Sequence, residues 1–261
     1  MVINNYEKEI RFIQSVLLDA NRRLKILKVK NIQDKTARDL VTDSDYAIEQ
    51  YIITMIYTQF PSDAILSEET NKNTKLQGRT WVLDPIDGTC NYANHISLFG
   101  IQLALVDNGK IVAAGIMLPS HDELYLATVN QGCTLNGEKI TVQPQSIAHS
   151  IVSFGDFNEE KKAASDLQSE TMTRLRFQIM KEKMFGAASI DFTYVASNRI
   201  SGTYLIASHA WDILAGILIC QEAGAYVCNE LGQPYQLDSK IVLVANSREL
   251  LELMRQPEAL C

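Results

Sequence analysis

Three apolar residues, Trp81-Val82-Leu83, run straight into Asp84-Pro85-Ile86-Asp87-Gly88-Thr89-Cys90-Asn91, and this junction constrains the chain more than any other stretch. An apolar strand must end here in two carboxylates, followed at once by a glycine, a hydroxyl and a helix start. Pro85 stiffens the turn so that both acids can face one point. Gly88 lets the backbone approach a ligand closely, and the N–H groups after it can receive a phosphate oxygen. Two like charges about 4 Å apart repel by roughly 4 kcal/mol at an effective dielectric near 20, so converging acids must take up protons or hold cations. Hard oxygen donors favour magnesium over zinc. Asp-Pro and Asp-Gly pairs also make ordinary surface turns, so the segment alone leaves both readings open.

Upstream, Ile10, Ile13, Leu17, Ala20, Leu24 and Leu27 recur at steps of three and four, one stripe of a long first helix. A second helix is expected from about Asp45 to Gln59, with Ile48, Ile52, Met55 and Ile56 on one face, Ser44 as N-cap and Pro61 closing it. From Ala64 onward the texture changes to short apolar runs at 64–66, 81–83, 101–106, 111–117 and 124–128. Turns at Asp107-Asn108-Gly109-Lys110 and Leu135-Asn136-Gly137-Glu138 join them into an expected antiparallel sheet. Polar residues around Pro144 mark a boundary. Beyond it, strands are predicted at 151–154, 176–179, 202–206 and 241–245, and helices at 159–172, 187–197 and 211–223. This divides the chain into an α+β part, residues 1–145, and an α/β part, residues 146–261.

With 261 residues, 46% of them hydrophobic, the chain can bury one sizeable core or two modest ones that share a face. The 31 acidic against 24 basic residues, a net charge of -7, disfavour nucleic acid as the main partner. Cys90, Cys133, Cys220, Cys228 and Cys261 are odd in number and contain no C-x-x-C pair, which argues against a disulfide framework or a zinc site and fits a reducing cytoplasm. The first residues lack a secretory pattern, and no apolar run is long enough to span a bilayer, so no membrane partner is expected.

Asp84 through Tyr92 resembles the signature of the inositol monophosphatase family, D-P-[IL]-D-G-T-x-N-[FY]. Other segments follow that family in order and spacing. Leu40 to Asp45 is similar to its V-T-x-x-D segment, Ile65 to Thr70 to G-E-E-[ST], and Pro119 to Glu123 with Gly132, Asn136 and Gly137 to its sheet region. Gly186 to Asp191 resembles G-[ST]-A-A-x-[DN], and Trp211-Asp212 with Glu222-Ala223-Gly224 resembles W-D-x-A-A-G followed by E-A-G-G. The likeness runs from about Tyr6 to Leu253. It implies a layered αβαβα sandwich of the inositol monophosphatase and fructose bisphosphatase type, and a magnesium-dependent phosphomonoesterase acting on a small phosphorylated metabolite.

Carried over residue by residue, Glu68, Asp84 and the carbonyl of Ile86 would bind a first magnesium ion, and Asp84, Asp87 and Asp212 a second. A weaker third ion would sit near Glu68, with Glu69 in a supporting place. Thr89 and Asp45 would orient and deprotonate the attacking water. Gly88 and Thr89 would hold phosphate through their N–H groups, and Ala187 and Ala188, with Gly155 and Asp156, would line the alcohol pocket. Without the resemblance, Asp212 and Asp45 read equally as first-turn helix acids. A homodimer and sensitivity to lithium are also implied.

The departures bear on substrate. Leu205 stands where inositol-hydrolysing relatives carry a sugar-contacting glutamate, His95 is displaced by one from the usual N-F-V-H, and Lys183 replaces a common arginine. Lys35 and Thr36 fall in the loop expected beside the cations. Fructose bisphosphate, a histidinol-type phosphate, NADP and 3′-phosphoadenosine nucleotides are therefore alternative substrates within the same fold, and a non-catalytic regulatory protein is the alternative outside catalysis. His121, His149 and His209 are given no role.

Overall fold

A computed structural model describes residues 6–27, 31–36, 39–206, 209–236 and 239–255. Helix α1 (Glu7–Ile26) buries Ile13, Val16, Leu17, Ala20 and Leu24 along one stripe. Glu7 and Glu9 lie in its first turn and Arg23 and Lys25 in its last, the arrangement the helix dipole favours. Leu27 closes the helix and is 38% exposed. Next comes a two-stranded antiparallel ribbon, β1 (Ile32–Thr36) and β2 (Asp39–Thr42), which the sequence reading did not anticipate. The side chains of Lys35 and Thr36 lie outside the described residues.

Helix α2 (Asp43–Gln59) packs beside α1 on one face of a seven-stranded sheet. Its N-cap is Thr42, not Ser44. Thr42 is extended and its hydroxyl accepts the Ser44 N–H, while Asp45 reaches back to the Thr42 N–H, so a reciprocal capping box starts the helix two residues earlier.

The large sheet runs in chain order: β3 (Ala64–Ser67), β4 (Arg79–Asp87), β5 (Gly100–Asp107), β6 (Lys110–Leu118), β7 (Glu123–Thr128), β8 (Gly132–Leu135) and β9 (Glu138–Ile140). It is antiparallel from β4 onward, but β3 and β4 are parallel, which corrects the expectation for that pair. The chain over 68–78 is a crossover that returns to the same end of the sheet, and parallel neighbours require such a connection.

The short helix α3 (Thr89–Ala93) lies between β4 and β5, and the second half of the chain builds a five-stranded mixed sheet. Its strands are β10 (Ile151–Phe154), β11 (Lys181–Lys183), β12 (Gly202–Ile206), β13 (Tyr226–Cys228) and β14 (Ile241–Ala245), ordered β11-β10-β12-β14-β13. Helices α4 (Lys162–Leu175) and α7 (Arg248–Met254) cover its outer face. Helices α5 (Ala188–Ala196) and α6 (Ala210–Glu222) fill the space between the sheets, in an apolar cluster running from Val82 and Ala104 through Phe192 and Leu214 to Val244. Helix α6 is buried nearly all round, as a helix between two sheets must be. At Gly216 an added Cβ would lie 2.0 Å from the Phe192 ring, so this glycine sets how closely α5 and α6 approach. The order of layers is αβαβα.

The expected strand at 176–179 is instead a turn closing α4. Phe177 is 87% exposed while Ile179 is buried, an alternation that arises from the bend, and the edge strand lies just beyond at β11. Strand β13 and helix α7 were not anticipated.

Candidate active site

At the end of β4 the ladder with β5 is regular through Asp84 opposite Gln102, then slips, and pairing resumes at Asp87 opposite Gly100. Such a bulge re-aims side chains at the edge of a sheet. Asp84 is 1% exposed, and its Oδ1 accepts the Ile86 N–H at 3.0 Å. Gly88 follows with φ 82°, and a Cβ there would lie 2.8 Å from the Ala187 Cβ, so both its backbone and its space demand glycine. Thr89 opens α3 and its hydroxyl faces two acceptors, Asp45 Oδ1 at 3.1 Å and the Ile86 carbonyl at 2.9 Å.

The other acids come from separate elements. Asp45, third residue of α2, accepts the Thr42 N–H at 2.9 Å and the Thr42 hydroxyl at 2.5 Å on Oδ2, leaving Oδ1 for Thr89. Glu68 follows β3 and donates its N–H to the Leu83 carbonyl at 3.3 Å, directly before Asp84. Asp212, third residue of α6, accepts the His209 N–H at 3.2 Å, and its carbonyl accepts the Gln102 amide at 3.0 Å. One glutamine therefore lies across the ladder from Asp84 and also ties down Asp212. Asp87 accepts the Ala188 N–H at 3.2 Å and the Ser189 N–H at 2.6 Å, joining β4 to the first turn of α5.

Glu68, Asp84, Asp87 and Asp212 line one cavity of about 260 Å³. Ile86, Gly88, Thr89, Ala187 and Ala188 also border it, and Gly155, Asp156, Asp191 and Leu205 form its far side. No lysine, arginine or histidine is among the described residues that line it. Among the described residues no three His, Cys, Asp or Glu side chains form a ready-made ion cage, so the acids share a cavity wall rather than a closed shell.

The crowding has an electrostatic signature. Burial, then the charges of Glu68, Asp87, Asp212 and Asp45, hold the Asp84 carboxyl well above the usual carboxylate range. Burial pushes Asp87 up to about 6 against the pull of its donors on Ser189 and Ala188. Asp45 is likewise pushed up to about 6 by burial, offset by hydrogen bonds from Thr42 and Thr89. Carboxylates that raise one another in this way bind protons or cations.

Asp45 is the one expected catalytic residue that does not border the cavity, and it is joined to it through Thr89. Lys183 is exposed and does not line the cavity, while His209 stacks on Trp211 with ring centroids 4.5 Å apart. Two residues with clear places here had no role in the sequence reading. Asn91 donates its amide to the carbonyls of Leu98 and Phe185, both at 2.7 Å, and so fixes the turn beside Gly88. Its only sequence signal is its fixed place in the signature. Asp191 is 1% exposed and held well above the usual range by burial. Its position in α5 resembles an ordinary first-turn helix acid, which concealed it.

The sequence profile of the inositol monophosphatase family matches residues 6–258. The chain belongs to the inositol monophosphatase family. An inositol monophosphatase of Dictyostelium discoideum is 35% identical over 222 residues, which cover 83% of this chain and 82% of that protein. A Nus factor SuhB of Xylella fastidiosa is 30% identical over 233 residues, 88% of this chain and 82% of that protein. The structure of an IMPase from Thermotoga maritima matches with a TM-score of 0.85 at 27% identity, covering 95% of this chain and 96% of that one. This inositol monophosphatase family member is a phosphomonoesterase with the layered sandwich of its relatives. Among the described residues it has no helix long and apolar enough to cross a membrane.

Proposed function

We propose that the chain hydrolyses the phosphate monoester of a small polyol, inositol monophosphate being the first candidate, with two or three magnesium ions held by Glu68, Asp84, Asp87, Asp212 and the carbonyl of Ile86. The observation that carries this reading is the meeting of Glu68, Asp84, Asp87 and Asp212 on the wall of a cavity that Asp156 and Asp191 also line, with no basic side chain among the described lining residues, beside a hydroxyl that hydrogen-bonds Asp45. The donors are all hard oxygens, with no histidine or cysteine among them, and that set suits magnesium. Bound there, the cations would offset the charge of the phosphoryl oxygens and lower the pKa of a water.

The chain's own groups do the rest. Thr89 Oγ1 accepts a proton from the attacking water as its own proton moves toward Asp45 Oδ1. An acid with a pKa of about 6 is a competent base near neutral pH. The N–H groups of Gly88 and Thr89 hold phosphoryl oxygens, and the P–O bond to the alcohol breaks in line with attack, the departing alkoxide taking a proton from solvent, without a covalent enzyme intermediate. Ala187, Ala188 and Leu205 enclose the alcohol, with Asp212 at its edge. In this reading residues 1–145 supply most cation ligands, and residues 146–261 add Asp212 and the alcohol pocket.

Leu205 favours a second reading of the alcohol, because an apolar side chain at this place offers a sugar hydroxyl no partner. A bisphosphorylated sugar, NADP or a 3′-phosphoadenosine nucleotide then competes with inositol phosphate. Phosphate release across a panel of monoesters, with magnesium and with chelator, separates these substrates. Release unaffected by chelator would sink the cation assignment, and no release from any ester at saturating magnesium would turn the reading to a non-catalytic binding role. Lithium inhibition, a homodimer and residence in the cytoplasm belong to the same proposal. Activity indifferent to millimolar lithium, a monomer by light scattering, or exclusion from the cytosolic fraction would count against each in turn.

A further inference from the structure

Glu49 lies one turn after Asp45 on α2 and is 0% exposed. Burying a carboxylate is costly unless its oxygens are hydrogen-bonded. Both oxygens of Glu49 are committed to one short stretch of chain: Oε2 accepts the Glu69 N–H at 2.8 Å, and Oε1 accepts the Thr70 hydroxyl at 2.5 Å. The Thr70 hydroxyl in turn accepts the Asn71 amide at 3.1 Å, and that amide also donates to Ser67 Oγ at 3.3 Å. Glu68 sits inside this bonded turn, with its own N–H on the Leu83 carbonyl. Its backbone is thus pinned on one side by β4 and on the other by Glu49.

We propose that Glu49 is a positioning residue for Glu68: it holds the 68–70 turn so that the Glu68 carboxylate borders the cavity beside Asp84, and through that placement it sets the affinity of the site for a divalent cation. The proposal rests on the reading of Glu68 as a cation ligand. Asp45 and Glu49 are neighbours at i and i+4 on the buried face of α2. A single helix turn therefore serves both sides of the chemistry, Asp45 holding Thr89 and Glu49 holding the turn that carries Glu68.

The test is titration with Mn2+, followed by electron paramagnetic resonance, on wild-type protein, Glu68→Gln, Glu49→Gln, Thr70→Val and the Glu49→Gln/Thr70→Val double variant. Glu49→Gln keeps the shape of the side chain but puts an NH2 against one of the two donors. Its Mn2+ affinity is expected to fall about 10- to 100-fold, as for other residues that orient a metal ligand. Phosphate release should recover at high Mn2+. Thr70→Val, at an exposed residue, should lose about threefold, and the double variant should lose less than the product of the two. Wild-type affinity in Glu49→Gln, alongside weakened binding in Glu68→Gln, overturns this proposal alone, whatever happens to the melting temperature. If Glu49→Gln does not fold, wild-type affinity in Thr70→Val overturns it equally. Wild-type protein that binds no Mn2+ overturns the cation reading and this proposal with it.

Discussion

On one side of the cavity, β4 and the ends of β3 and α2 bury acids with many partners, Asp45 at 0% and Asp84 at 1% exposure. On the other side, β10, β12 and the start of α5 present mostly small or apolar residues, Gly155, Leu205, Ala187 and Ala188, with Asp156 and Asp191 as the carboxylates among them. The acid side is fixed by backbone: Asp84 is held by Ile86, Asp45 by Thr42, Asp87 by Ala188 and Ser189. The side proposed for the alcohol is shaped mainly by the size of its residues. Substitutions on the first should therefore change chemistry and folding together, whereas substitutions on the second should change which alcohol fits.

The largest expected effect is on the acid side. Asp87→Asn and Asp212→Asn should each lower kcat on the order of 10³-fold at saturating magnesium while circular dichroism shows an intact fold. Asp87→Asn should also lower the melting temperature, because it disturbs the link to α5. Near-normal turnover in either variant would erase the distinction between the two walls.

Stability against pH comes next. The folded-state pKa values of Asp45 and Asp87 are raised from 3.8 to about 6, so the folded protein keeps protons that the unfolded chain gives up. Their contribution is fully present below about pH 4 and is lost as pH rises through about 6, on the order of a few kcal/mol. Thermal melts in chelator should fall between pH 4.5 and 8, and magnesium added at pH 8 should restore the loss. A flat profile would show that burial does not strain these acids.

On the alcohol side, Leu205→Glu should raise kcat/KM for inositol monophosphate relative to an aryl phosphate by about tenfold. An unchanged ratio would remove Leu205 from the specificity argument. The smallest effect is expected at Thr42→Ala, which removes a helix cap worth about 1 kcal/mol by chemical denaturation. The Thr42 hydroxyl also lowers the pKa of Asp45, so the acidic limb of the pH–rate profile should move upward.

Much of the acid side could be read from the linear chain, because the β4-to-α3 junction packs its chemistry into adjacent residues. Proline, glycine and two acids leave few conformations open. Asp45 and Asp212 are harder, since a first-turn helix acid and a site acid look alike: each caps its helix, while Asp212 also borders the cavity and Asp45 also accepts from Thr89. Local preference cannot distinguish Ser44 from Thr42 as the cap until the backbone shows which is extended. Glu49 carried no local sign that its carboxylate points inward.

Residue periodicity and the signature are sufficient for the helix faces, most strands and the family, because these depend on neighbours a few positions apart. Where the acids meet is decided by the packing of layers. Thr89 reaches Asp45 across 44 positions and Asp87 reaches Ala188 across 101, and neither distance is encoded in any local pattern. The parallel β3–β4 pair and the tie from Gln102 to Asp212 arise in the same way. Burial faces are local properties of a chain, whereas convergence on one cavity exists only after two sheets have closed on the helices between them.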